Sequence, residues 1–328
     1  MKLKRILILF YLKFILVQCK FCSNSTLGTT GNFKEIFLGR CFYFLNILHK
    51  NNCMIKSANL NCTQIWKEFS NVILNRNPCE IKKEDFDNFL NMTSHFYDTE
   101  KAILWSGTDN MAHQISRLRG YWTLEDVLPG YLYSELTACS NSNKTDFEKE
   151  CESECMYGNN AFWTAVSIDF ARHSTKQVIV ILNGTRTEGA APNRTYFMRF
   201  ELPNLNYESV KKVKVLLLHS PDKPKYETCS NPITLRYVET FLKSKNVAYE
   251  CEDDTFFVNN INCIQNPTEK HCETLPGKNF QNSNELETKQ FESMSTESAY
   301  ENDSDDDHTR VLKNETDINE LSHGIGKN

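Results

Sequence analysis

Three short segments place a tryptophan or a lone carboxylate at the edge of an apolar run. The first is Ile103-Leu104-Trp105-Ser106-Gly107-Thr108, a short apolar strand that ends in Trp and then Ser-Gly. The second is Asn160-Ala161-Phe162-Trp163-Thr164-Ala165-Val166-Ser167, and the third is Arg199-Phe200-Glu201-Leu202-Pro203-Asn204-Leu205. Indoles offer large flat faces, and a lone carboxylate among apolar residues is a candidate for chemistry. Each residue alone also has an ordinary reading. A Trp beside apolar residues packs a core, Glu201 fits the solvent side of an edge strand, and Glu125 with Asp126 fits a helix cap. No G-x-S-x-G elbow, H-E-x-x-H, P-loop or G-x-G-x-x-G occurs, so those chemistries have no anchor in the chain.

Positioning these segments requires elements that the hydrophobic pattern supplies. The first half reads helical. Phe33–Leu38 and Phe42–His49 are amphipathic, and Asn61–Asn75 sets Ile65, Trp66, Phe69, Val72 and Ile73 at helical spacing. Lys83–Met92, Met111–Arg119 and Phe162–Arg172 continue the pattern, and Thr123-Leu124-Glu125-Asp126 reads as a capping box. The second half turns to strands. Gln177–Leu182 and Val213–Leu218 are continuous apolar runs, and Leu235–Lys245 is a helix leading to Val247-Ala248-Tyr249. Strand–helix–strand predicts a parallel sheet. The expected fold class is therefore α/β, with a helical N-terminal half packed on a small C-terminal parallel-sheet half, stapled by disulfides.

The ends and the cysteines set the compartment. Lys2, Lys4 and Arg5 precede the apolar run Ile6–Val17, the shape of a signal peptide over residues 1–21. An uncleaved signal anchor is the alternative. The chain has 13 Cys without zinc spacing, which favours disulfides over metal sites. Sequons add Asn24, Asn91, Asn143, Asn183 and Asn193 as glycosylation candidates, with Asn61, Asn302 and Asn314 also in N-x-S/T. Residues 274–328 lack Cys and Trp and carry the acidic run Asp303–Asp307, so an acidic, disordered tail is expected there. That leaves residues 33–273 as one catalytic domain, mainly helical over 33–175 and α/β over 176–273. Net charge is −5 and the basic residues are scattered, which argues against a nucleic-acid partner. No clear membrane anchor is read, and the expected localisation is secreted or extracellular, with attachment to the cell surface left open.

Taken in order, Trp105-Ser106, Thr123–Leu132 (TLEDVLPGYL), Phe162–Ser167 and Phe200–Leu205 resemble the ADP-ribosyl cyclase / NAD glycohydrolase ectoenzyme family. The resemblance runs from Arg40-Cys41, through Asn77-Pro78-Cys79, to Cys263 and Cys272. It implies a catalytic carboxylate at Glu201, stacking tryptophans at Trp105 and Trp163, a carboxamide contact at Glu125, and substrate-binding serines at Ser106 and Ser167. The implied reaction is cleavage of the nicotinamide–ribose bond of NAD or NADP, which are substrates; no cofactor or metal is implied. The leaving pyridinium departs neutral, so one carboxylate suffices where most glycosidases need two.

Two departures from the family pattern lead us to expect hydrolysis to ADP-ribose, with little cyclic product. Tyr196-Phe197-Met198-Arg199-Phe200-Glu201 stands where the family has Thr-Phe-Gly-Ser-Val-Glu, and Gly107 stands where a basic residue is expected. A cyclase and a non-catalytic NAD-binding protein are the alternatives. The resemblance also implies the pairs Cys41–Cys62, Cys79–Cys155, Cys139–Cys151, Cys229–Cys251 and Cys263–Cys272. It leaves Cys53 to pair with Cys22 or to join two chains as a homodimer.

Overall fold

The fold is built on a four-stranded sheet whose two faces are both covered. In a computed structural model, residues 28–49, 60–74, 76–139, 157–265 and 272 are described. The signal-peptide segment, Asn24, Asn143, Cys53, Cys151, Cys155 and the tail lie outside these residues.

The front half is helical. Helix α1 (Phe33–Tyr43) and α2 (Cys62–Ile73) are joined by the Cys41–Cys62 disulfide. The Asn61 side chain caps α2, accepting from Thr63 N (3.0 Å) and Gln64 N (3.1 Å). Below it, Ile65, Trp66, Phe69, Val72 and Ile73 form the buried stripe expected from their spacing. Short helix α3 (Asp87–Thr93) adds Phe89. The result is a nest of aromatic rings: Phe37–Phe69 centroids lie 4.9 Å apart, Phe86–Phe162 5.3 Å, and Tyr133–Phe162 4.6 Å.

Strand β1 (Ala102–Ser106) is followed by α4 (Asp109–Arg119), α5 (Leu128–Tyr133) and α6 (Tyr157–His173). Strand β2 (Lys176–Asn183), β3 (Val210–Leu218), α7 (Leu235–Ser244), β4 (Ala248–Asp253) and α8 (Phe256–Gln265) complete the back half. The sheet order is β1-β2-β3-β4, with every pairing parallel. Alternate side chains feed two cores. Leu104, Val178, Val180, Val213 and Val215 join the aromatic core, while Ile103, Ile179, Ile181 and Leu216 pack on α4 and α8 through Met111, Ile115, Val258 and Ile261. Burial on both faces is why β2 and β3 read as unbroken apolar runs.

Strand β4 runs further than Val247–Tyr249 predicts, through Glu250-Cys251-Glu252 to Asp253. It is an edge strand, where charged residues blunt the open side. Glu250 and Glu252 also pair with Lys214 of β3, at 3.0 and 2.8 Å. Helix α8 carried no sequence expectation. The structure joins Cys229 to Cys251 and Cys263 to Cys272. Cys79 and Cys139 are also disulfide-bonded, but the partners expected for them, Cys155 and Cys151, lie outside the described residues. Among the described residues, no helix is long and apolar enough to cross a membrane.

Candidate active site

Parallel sheets leave a crevice beyond the carboxyl ends of their strands. Here that crevice is a cavity of about 500 Å³. All six site residues expected from the sequence line it: Trp105, Ser106, Glu125, Trp163, Ser167 and Glu201. They come from both halves. Trp105 and Ser106 end β1 on the sheet. Trp163 projects from α6 and packs on the aromatic nest, 5.3 Å from Phe162 and 6.0 Å from Tyr133 by ring centroid.

Glu125 sits in the capped turn Leu124–Asp126. Thr123 N donates to Asp126 Oδ2 at 2.9 Å, and so does Thr123 Oγ1 at 2.8 Å. The cap leaves Glu125 free to face the cavity. Trp105 Nε1 donates to Glu125 Oε2 at 3.3 Å, so the acid also orients the indole. Burial raises the Glu125 carboxyl above its usual range, against the pull of His113, the local backbone, Trp105 and Thr123.

Glu201 lies on one π-helical turn, Phe197–Glu201. A solvent-facing edge strand is the wrong picture for it: the residue is only 6% exposed. Among the described residues its Oε2 has no hydrogen-bond partner, whereas the Ser167 hydroxyl donates to the carboxylate. Burial first, and the Glu125 charge second, push its pKa up to about 8. An unpartnered buried carboxylate facing a cavity is costly unless a ligand answers it. A cationic ligand would stabilise the ionised form.

The segment before Glu201 differs from what its sequence suggests. Of the residues that depart from the family pattern there, only Tyr196 lines the cavity. Met198 is buried in the core and Arg199 turns outward, its guanidinium 4.9 Å from the Phe200 ring centre. The π-turn places Glu201, not these two, at the cavity.

Several further lining residues carried no sequence expectation, His113 and Thr195 among them. His113 sits on α4 with Nε2 3.2 Å from Asp109 Oδ1 and 3.9 Å from Glu125 Oε2. Nothing in the local pattern separates it from a surface helical histidine; only the fold brings it to Glu125. Thr195 lines the cavity beside Tyr196. Among the described residues no His, Cys, Asp and Glu cluster could hold a metal ion.

The fold is a parallel-sheet α/β scaffold with a carboxylate-bearing crevice at its strand ends, and the chain belongs to the ADP-ribosyl cyclase family. The model of that family, described as ADP-ribosyl cyclase, matches residues 30–272. The chain is 29% identical over 250 residues to ADP-ribosyl cyclase/cyclic ADP-ribose hydrolase 2 of Homo sapiens, spanning 75% of this chain and 76% of that one. It is also 29% identical over 261 residues to the ADP-ribosyl cyclase/cyclic ADP-ribose hydrolase of Aplysia californica, covering 76% and 89%. Among solved structures, Aplysia cyclase complexed with substrate NGD and product cGDPR matches at TM-score 0.68 and 27% identity, covering 75% of this chain and 98% of that one. Porcine CD38 with a covalent intermediate matches at TM-score 0.63 and 26% identity, covering 70% and 99%.

Proposed function

We propose that this protein is an extracellular NAD(P)⁺ glycohydrolase that releases nicotinamide and ADP-ribose, with little or no cyclic product. The observation that carries the reading is Glu201: a buried carboxylate, unpartnered at Oε2, facing a cavity walled by two tryptophans. Glu201 in its ionised form stabilises the oxocarbenium-like ribosyl cation or traps it covalently. Nicotinamide leaves as a neutral ring, so no acid is required on the departing side. Trp105 and Trp163 stack the ring systems, and a pyridinium over an indole gains about 0.5–2 kcal/mol of cation–π attraction. Glu125 accepts from the carboxamide NH2 while its bond to Trp105 fixes the stacking face. The disulfides support an oxidising compartment.

The ribosyl intermediate meets either water or the adenine of the same molecule. Tyr196 favours water. Its phenol occupies the cavity edge where the family pattern has Thr, and it hydrogen-bonds to the Thr164 side chain. A folded-back adenine would have to share that space. Incubating the secreted protein with NAD and separating the products is the decisive assay. Nicotinamide with ADP-ribose is expected; absence of nicotinamide release overturns the reading. Tyr196→Thr should raise the cyclic fraction several-fold, and an unchanged ratio would remove Tyr196 from the explanation.

A further inference from the structure

Among the described residues, those lining the cavity include four carboxylates, Asp109, Glu125, Glu135 and Glu201, and no Lys or Arg. A dinucleotide with a pyridinium at one end suits the acids, but its diphosphate carries negative charge that they repel. One cation stands at the edge. Arg186, on the loop after β2, donates from Nη1 to Ser106 Oγ at 3.1 Å. Among the described residues it makes no ion pair, and Ser106 is its partner.

The guanidinium has its place because residue 107 has no side chain. A Cβ on Gly107 would lie 2.5 Å from Arg186 Cζ and 2.8 Å from Nε, and the backbone there is left-handed at φ +71°. The Arg186 side chain therefore lies in the space that a side chain from position 107 would use. The loop that presents it is fixed at both ends. Asn183 Nδ2 donates to Gly107 O at 3.3 Å, and Thr185 N donates to Asn183 Oδ1 at 2.9 Å. Tyr226 N and Glu227 N donate to Gly184 O at 3.0 and 3.1 Å, where a Cβ would meet Glu227 O at 2.8 Å. At the far end, Ala190 N donates to the buried Glu227 Oε2 at 2.6 Å. Burial opposes ionisation of Glu227, but Ala190, Leu235, Thr234 and Ile233 donate to it and hold its carboxyl below the usual range.

We infer that Arg186, delivered from the β2 loop over Gly107, is the diphosphate-binding cation of this enzyme, with Ser106 as its hydroxyl partner. The inference rests on the NAD reading above and assigns the substrate's phosphates to one edge of the same cavity. On binding, Ser106 turns its proton toward a phosphate oxygen, and the guanidinium supplies charge-assisted hydrogen bonds.

The test compares Arg186→Ala and Arg186→Lys with wild type on NAD and on nicotinamide riboside, which has the scissile bond and no phosphate. Melting temperatures check that both variants fold. Arg186→Ala should lower kcat/KM for NAD about 10- to 100-fold, chiefly through KM. Its loss on nicotinamide riboside should be at least tenfold smaller, and Lys should restore part of the NAD activity. Equal losses on both substrates, or no loss on NAD, overturn the inference. Calorimetry with ADP separates this failure from failure of the NAD reading. If wild type releases no nicotinamide, the reading falls, and Arg186 stands only if wild type binds ADP and Arg186→Ala weakens binding at least about tenfold. No binding of ADP to wild type overturns it as well.

Discussion

The helical front and the sheet-bearing back solve the same packing problem with different materials. The front is filled by interlocked rings: Phe37, Phe69, Phe86, Phe89, Tyr133 and Phe162 are all fully buried. The back is aliphatic, with Val178, Val180, Val213 and Val215 on one face and Ile179 and Ile181 on the other, and it adds polar networks around Glu227, His219 and Lys214. The aromatic core and the sheet each send one tryptophan to the cavity. Trp163 is a partly buried ring packed on the aromatic nest, while Trp105 is the last but one residue of β1 and leans on the small aliphatic cluster. The front wall is thus a continuation of a core, whereas the back wall is a set of strand ends and loops. Changes on the front wall should damage fold and activity together; changes on the back wall should separate them.

The sharpest separation is at Glu201. Glu201→Gln should lower kcat about a thousandfold or more, because the amide cannot stabilise or trap the ribosyl cation. The same change should raise stability near pH 8. A carboxyl whose folded pKa is about 8 binds more protons folded than unfolded between its ordinary range and that value. Stability therefore falls as pH rises through that window, and the amide has no such dependence. Thermal melts of both proteins from pH 5 to 9 should show the wild type losing ground while the variant stays level. A variant less stable than wild type at pH 8 would mean that the carboxylate has a partner that keeps it ionised.

The next effect is the pH profile. On the proposed reading ionised Glu201 is the active form, so kcat/KM for NAD should fall about tenfold per unit below a free-enzyme pKa of about 8. The pyridinium charge stabilises the carboxylate once NAD is bound, so the acid limb of kcat should lie at lower pH than that of kcat/KM. Glu125→Gln removes a like charge beside Glu201 and should move the acid limb of kcat/KM to lower pH. A limb that stayed in place would detach the two carboxyls electrostatically.

The tryptophans test the comparison directly. Trp163→Ala opens a hole against Phe162 and Tyr133, and should cost about 2–3 kcal/mol, or some 4–10 °C in melting temperature, as well as substrate affinity. Trp105→Ala should raise KM by a similar factor with about 1 kcal/mol lost, because Trp105 is only partly buried against the small aliphatic cluster. Equal melting temperatures for the two variants would dissolve the distinction between a wall that continues a core and one made of strand ends.

Much of this arrangement is legible in the sequence because periodicity reports burial. The α2 stripe, the capped Thr123–Asp126 turn and the apolar β2 and β3 runs each follow from a local rule that the fold leaves intact. Glu201 is harder. Its segment reads as the solvent side of an edge strand, and a single π-helical turn has no periodic signature of its own. Family resemblance, not spacing, points to it. His113 and Arg186 escaped for a different reason. One is an ordinary helical histidine and the other an ordinary loop arginine until the parallel register brings β1 beside β2. The loss of a basic residue at Gly107 is visible in the chain, but the side chain that fills the space above it is visible only in three dimensions.

The smallest expected effect comes from the most conspicuous charge in the back core. Lys214 is 4% exposed and pairs with Glu250 at 3.0 Å and Glu252 at 2.8 Å across the β3–β4 ladder. Burial disfavours its charge, yet the two carboxylates hold its pKa above the usual lysine value. Its charge is therefore lost only at strongly alkaline pH, and it lends no pH dependence in the working range. Replacing a buried ion by an apolar side chain is costly when its partners are left buried. Here the Glu250 and Glu252 side chains are 35% and 43% exposed, and Lys212 also pairs with Glu250. Water and Lys212 can take over both acids, while a methionine fills the same channel between strands. Lys214→Met should thus change stability by about 1 kcal/mol or less in urea unfolding, in either direction. A loss as large as that of Trp163→Ala would show that the polar network, like the aromatic nest, is part of what holds its wall of the cavity in place.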